Sequence, residues 1–279
     1  METVINFFDT IPSTYRSAIL VGGLVLFWAI EGLIPLRALA YAKWRHAGLN
    51  LFFTLTTVLV NLAFAGLILL ASRWAVGHGW GLLPLAEHGL GLPLWAVALV
   101  GLLGLDLVGA YLAHWVQHKV RWLWKFHLIH HTDTYVDTTT ANRHHPGESV
   151  LRAVFTVVAV LLMGAPMWLV MLYQSLSAFA SQFNHANIAL PGWLDQALSW
   201  FIVSPNMHKV HHHDTQPLTD TNYGNIFSVW DRLFGTFAAA DPQQLRYGVD
   251  THPRPEENDR LGRLLHLPFE PYRQPRGRK

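Results

Sequence analysis

The chain contains no cysteine. That absence excludes a disulfide framework, a zinc ribbon, a thiol nucleophile and a cysteine-held iron–sulfur cluster. Charge is scarce: 14% of the 279 residues are Asp, Glu, Lys or Arg, against roughly 25% in an ordinary soluble protein. A formal net charge of +2 with no basic stripe excludes nucleic acid as a partner. Dinucleotide (GxGxxG) and zincin (HExxH) signatures are absent, as are internal repeats and low-complexity tracts. Apolar residues make up 51% of the chain, too many for a disordered protein.

The apolar residues are gathered into runs. Residues 18–36 are interrupted only by Glu31, 49–71 carry no charge, and 90–113 contain only Asp106. Each is long enough to span a bilayer, which takes roughly 20 residues. A fourth run, 150–183, holds Arg152 and Pro166. As one helix it would measure about 50 Å, beyond a hydrocarbon core of about 30 Å. Gly164-Ala165-Pro166 is the expected break, which makes the run a helical hairpin. The first run reads as a retained anchor, because its positive charges (Arg37, Lys43, Arg45) follow it rather than precede it. Lys119, Arg121 and Lys125 follow the third run, whereas only Arg73 follows the second. The Lys/Arg bias therefore places the N-terminus outside and the basic segments in the cytoplasm.

Histidine is the abundant oddity. Of 17 His, twelve lie between His114 and His213, where an even spread would put about six. His114 and His118 are four apart, and His127, His130 and His131 follow i, i+3, i+4 spacing, as do His208, His211 and His212. On a helix each group shares a face, while adjacent His diverge by about 100° and can serve different ions. Eight imidazoles are more than one ion uses, so two ions are expected. Imidazole alone does not choose among Zn, Cu, Fe and Ni. One shared site needs all groups on one side of the membrane, which independently requires the fourth run to turn back. His46, His78, His88, His252 and His266 stand alone and read as surface or core residues.

These motifs, HWVQH at 114–118, HLIHH at 127–131 and HKVHH at 208–212, resemble the HX3-4H, HX2HH and HX2HH boxes of the fatty acid hydroxylase/sterol desaturase superfamily. RHHPGE at 143–148, FNHANI at 183–188 and TDTNYGNIFSVWDRLFGT at 219–236 are similar to its supporting elements. The resemblance covers about 106–237 and implies an integral-membrane di-iron enzyme that activates O2 to hydroxylate or desaturate a lipid. It implies His114, His118, His127, His130, His131, His208, His211 and His212 as iron ligands, with His145 and His185 as ninth and tenth. Where some members carry a further His, this chain has Ser181, and His145 is read as the replacement donor. His144 and His213 are left between supporting and surface roles. Trp115 stands where many relatives have Arg.

The expected architecture is an all-α membrane protein of about three spans plus the broken hairpin, with a cytoplasmic helical cap carrying the di-metal site. Its expected parts are a transmembrane region (1–113), a catalytic region (114–237, including the hairpin 150–183) and a C-terminal tail (238–279). The expected setting is a bacterial inner membrane. Ligating His usually donates its second N–H to a carboxylate or carbonyl. Asp133, Asp137, Glu148, Asp220, Asn222 and Asp231 are the candidates for that support. Asp106, an intramembrane carboxylate, is expected to face the interior and support the site; on a straight helix it lies about 80° from His114. Trp122, Trp124 and Phe126 read as an interfacial belt rather than a substrate entrance. A lipid substrate enters from the bilayer. Electrons come from a separate reductase, ferredoxin or cytochrome b5-like donor, with Arg273, Arg276, Arg278 and Lys279 as candidate docking residues. A haem held between spans would need His deep inside the apolar runs. A metal transporter would place its ligands near the midplane, and a zinc peptidase would need HExxH. Substrate identity, and hydroxylation against desaturation, stay open.

Overall fold

Long apolar runs without interior proline favour helices whose backbone groups are satisfied internally, as a bilayer demands. The computed structural model describes residues 1–276, and helices dominate it, with no extended strand among the described residues. A short amphipathic helix, α1 (Glu2–Asp9), precedes α2 (Ser13–Leu33). Next come α3 (Lys43–Gly77) and α4 (Leu94–Lys119). Helices α6 (Pro146–Met163) and α7 (Met167–His185) form the hairpin. Helices α2, α3, α4 and α6 are long and apolar enough to cross a membrane. Between α4 and α6 lies α5 (Arg121–His131); after the hairpin come α8 (Gly192–Leu198) and α9 (Pro205–His211).

The expected hairpin forms at the expected break. Gly164 caps α6 in the left-handed region (φ 67°), and a Cβ there would meet the Trp80 carbonyl at 1.9 Å, so only glycine fits. Pro166 is extended and starts α7. Leu105, Val160, Leu169 and Val170 pack fully buried at the centre of the bundle.

Two features differ from a straight reading of the sequence. Helix α4 contains a π-helical segment, Leu107–Leu112, between Asp106 and His114. Wider turns reset the register, so the angle expected for a straight α-helix does not apply. The C-terminal segment also folds back rather than trailing away. Leu264 and Leu267 are buried with Phe53, Leu128 and Ile129, which seals the outer face of α5. Arg273 binds Glu257 and the Thr251 carbonyl, and the Arg276 amide donates to Asp250, so both belong to this fold-back. Arg278 and Lys279 lie outside the described residues.

At about 52 Å, α3 exceeds the hydrocarbon thickness, and its first turns join the cap through His46 and Asn50. Glu31 ties α2 to the same layer by accepting from the Thr138 and Asn187 amides.

Candidate metal centre

Nine buried histidines from four helices converge at one end of the bundle and form two groups, each able to hold an ion. His114, His118, His127, His131 and His211 make the first, and His130, His185, His208 and His212 the second. Within each group one ligand atom per residue lies within 4.8 Å of all the others. The neighbours His130 and His131, and likewise His211 and His212, fall into different groups. That is the consequence of their 100° divergence.

The first group is oriented ring by ring. His114 Nδ1 donates to the Tyr223 carbonyl (2.9 Å) and His211 Nδ1 to the Thr221 carbonyl (2.7 Å). His127 Nδ1 donates to Glu148 (2.8 Å) and His118 Nδ1 to Asp220 (3.2 Å). Each bond fixes the proton on Nδ1 and turns Nε2 inward as a lone-pair donor. All four Nε2 atoms, and both ring nitrogens of His131, are buried without a protein partner. In the second group, His185 Nε2 lies 3.1 Å from His130 Nε2 and 3.0 Å from His208 Nε2. Two nitrogens bound at right angles to one ion, each about 2.1 Å away, stand about 3 Å apart. Both nitrogens of His212 are also buried without a partner.

So many unpartnered buried nitrogens would each cost about 1–3 kcal/mol; a pair of cations accounts for them. Burial, reinforced by neighbouring imidazoles, holds His130, His131, His208 and His212 well below the usual histidine range, and His211 at about 3. The rings are therefore neutral at pH 7, the state that metals bind. The donor set fits a pair of imidazole-loving ions.

His145 is a departure from the expected ligand set. It caps α6, its Nδ1 accepting from the Gly147 amide and its Nε2 facing the Leu265 carbonyl, so both nitrogens are committed away from the two groups. Its neighbour His144 faces inward instead, with its ring 5.0 Å from that of His130 and its Nε2 3.7 Å from Glu148. His213 lies at the cap surface, accepting from the Arg246 amide. Of the supporting candidates, Glu148 and Asp220 touch cluster histidines directly. Asp137 does not: it caps the turn Thr138–Asn142 and binds Tyr41. Asp133 pairs with His46.

Asn222, Asp231 and Asp106 act at one remove. Asn222 adopts a left-handed conformation (φ 52°), which asparagine tolerates. It separates the two carbonyls that receive His211 and His114, and its amide is pinned to Met207 and Ala238. Asp231 accepts the Tyr223 and Gly224 amides. Asp106, fully buried in α4, accepts the Ile226 and Phe227 amides and the Trp230 indole. Together these carboxylates hold the loop that orients the first group.

Two expected outcomes follow from these contacts. Glu148→Ala should lower metal affinity 10- to 100-fold, as read by chelator competition, with Glu148→Gln intermediate because its amide oxygen can still accept. Asp106→Ala strands one buried and two part-buried donors, at up to about 1–3 kcal/mol each. It should lower the unfolding temperature and weaken metal binding at the first group more than the second; unchanged melting and metal content would remove Asp106 from this role.

Several site residues escaped sequence reasoning. Tyr223 walls the first group, its ring 5.1 Å from that of His118. Lys209, fully buried between box histidines, donates to the His185 and Ala186 carbonyls, and burial pulls it down to about 8. Trp124 packs on His118 and His131, so it is part of the site's wall rather than an interfacial belt, whereas Trp122 is exposed.

Comparison with known proteins agrees with this geometry. Residues 98–236 match the fatty acid hydroxylase family. The chain is 30% identical over 146 residues to ornithine lipid hydroxylase OlsE of Rhizobium tropici, covering 51% of this chain and 43% of that one. It is 30% identical over 158 residues to alkylglycerol monooxygenase of Danio rerio (54% and 32%). It is also 32% identical over 127 residues to a cholesterol 25-hydroxylase-like protein of Danio rerio (44% and 48%). The chain thus spans less than half the length of each of these relatives. No solved structure matches. The matched segment contains all nine clustered histidines, and the chain belongs to the fatty acid hydroxylase family.

Proposed function

We propose that this chain is a membrane lipid hydroxylase that uses O2 and external electrons, with two iron ions held by the two histidine groups. The observation that carries this reading is the pair of adjacent, buried imidazole groups at the end of a bundle of membrane-length helices. His114, His118, His127, His131 and His211 would hold one ion, and His130, His185, His208 and His212 the other. When bound, the ions supply the activation of O2. The chain's residues hold the rings in one tautomer through Tyr223, Thr221, Glu148 and Asp220, and Trp124 and Tyr223 keep bulk water from the rings.

Inserting one oxygen of O2 into a C–H bond consumes two electrons and two protons, and the second oxygen leaves as water. No dinucleotide fingerprint or cysteine cluster supplies those electrons from within the sequence, so a separate reductase, ferredoxin or cytochrome b5-like protein provides them. Hydroxylation is favoured over desaturation because the similar proteins named above are a lipid hydroxylase, a monooxygenase and a hydroxylase-like protein. The Lys/Arg bias supports a site facing the cytoplasm, and the membrane proposed is a bacterial inner membrane. The alternative, a metal-handling membrane protein, has no observation of its own.

The test is to express the chain under 18O2 and compare host lipids with those of a host expressing His130→Ala. A lipid that gains one labelled oxygen only with the intact chain is the expected result. Absence of any labelled lipid from a metal-loaded chain supplied with reductant would overturn the proposal.

A further inference from the structure

A cavity of about 200 Å³ opens inside the spanning bundle, between α3, α6 and α7, and its lining is largely polar. Asn61 of α3, Arg152 of α6 and Gln174 of α7 all reach it. None of these three side chains makes a hydrogen bond within the described protein. The Arg152 guanidinium pairs loosely with Glu148 Oε1, at 4.0 Å, and Glu148 already serves His127. At its inner end the cavity reaches His144, whose ring abuts that of His130 in the second group. Asn61 stands at the exposed rim, in the middle of a span that carries no charge from 49 to 71.

Lipid tails offer such groups no acceptors, and an unmet polar group in hydrocarbon costs several kcal/mol. A guanidinium in a spanning helix without a full protein partner therefore calls for a ligand oxygen. The volume has room for about seven groups the size of a water molecule, enough for the polar end of a lipid but not for a long chain. The tail would remain between the helices and the bilayer.

We propose that this cavity is the subsite for the polar end of the substrate lipid, where Arg152 donates to a carboxylate or carbonyl oxygen and Asn61 and Gln174 complete the cradle. The assignment rests on the lipid hydroxylase reading, since it takes the occupant to be substrate. It makes Arg152 a specificity residue, selecting lipids that carry an acceptor beside the carbon to be oxidised and rejecting bare hydrocarbon.

The test uses the full metal-loaded chain in nanodiscs and native mass spectrometry with three probes of equal length: hexadecanoate, hexadecanamide and hexadecane. The wild type should retain one or both of the first two and not the alkane. Hexadecanoate alone would identify an anionic group, and both would identify the shared carbonyl oxygen. Arg152→Met should weaken that retention about tenfold or more, the size of a lost charge-assisted bond, with metal content unchanged, and Arg152→Lys should recover part of it. If Arg152→Met does not fold, Gln174→Leu is measured by the same readout and should also weaken retention. Equal retention of hexadecane, or a correctly folded Arg152→Met that binds as the wild type does, would overturn the subsite. Failure of the hydroxylase reading shows separately, as selective probe binding without any labelled-oxygen product.

Discussion

Arg143→Met is expected to leave little folded protein in detergent, and Arg143→Lys is expected not to rescue it. Arg143 lies 1% exposed beneath the site. Its Nε donates to the Ile129 carbonyl (3.0 Å) and Nη1 to Asn50 Oδ1 (3.0 Å), while Nη2 donates to Thr132 Oγ1 (3.2 Å) and the Asn258 carbonyl (2.6 Å). One guanidinium thus joins α3, both sides of the His130–His131 turn, and the C-terminal fold-back. Removing one member of a buried charged network costs about 3–5 kcal/mol, a large share of a total stability of about 5–15 kcal/mol. A lysine ammonium cannot reach four acceptors arranged around a planar fork. The measurement is the thermal unfolding midpoint and monodispersity of the solubilised variants. A Met variant that melts with the wild type would show that the cap is held by apolar packing alone.

Acid is expected to unfold the metal-free chain steeply. His130, His131, His208, His211 and His212 have folded values below the usual histidine range, as do His144, at about 3, and His252, at about 4. A base whose folded value is lowered contributes fully above its unfolded value, near 6.5. Below that pH the unfolded ring takes a proton that the folded ring refuses, until the folded value is reached. Each such group costs about 1.4 kcal/mol per pH unit. Several titrating together should exhaust the stability between about pH 6.5 and pH 5. Bound metal opposes the same protons, so the loaded chain should survive to lower pH than the chelator-treated one. A flat unfolding profile from pH 7 to pH 5 for the treated chain would contradict this account.

The parts legible in the sequence are those set by local geometry. Box histidines sit at helical spacing, so their shared faces, and the separation of His130 from His131, follow from the pitch of α5. The hairpin was legible because Gly164 and Pro166 interrupt a run too long for one span. Where the chain leaves a regular helix, spacing carries no angle. His144 and His145 are adjacent just before Pro146, and nothing in their spacing says which becomes the helix cap and which turns inward. The π segment of α4 is likewise silent in the hydropathy pattern. Glu148, Asp220 and Asp137 look alike as acidic residues near boxes. Only tertiary packing directs the first two toward His127 and His118 and the third toward Tyr41. Arg143 was visible only as a motif letter, since its four acceptors come from segments up to 115 residues away.

The most direct test of the central claim is the metal content per chain after gentle purification of the wild type, His211→Ala and His130→Ala. His211 belongs to the first group and His130 to the second. Two irons are expected in the wild type, with the selective loss of one in each variant and the remaining ion held by the untouched group. A chain that binds no metal even after reconstitution, or a single ion lost equally in both variants, would contradict the two-group centre and the chemistry proposed for it.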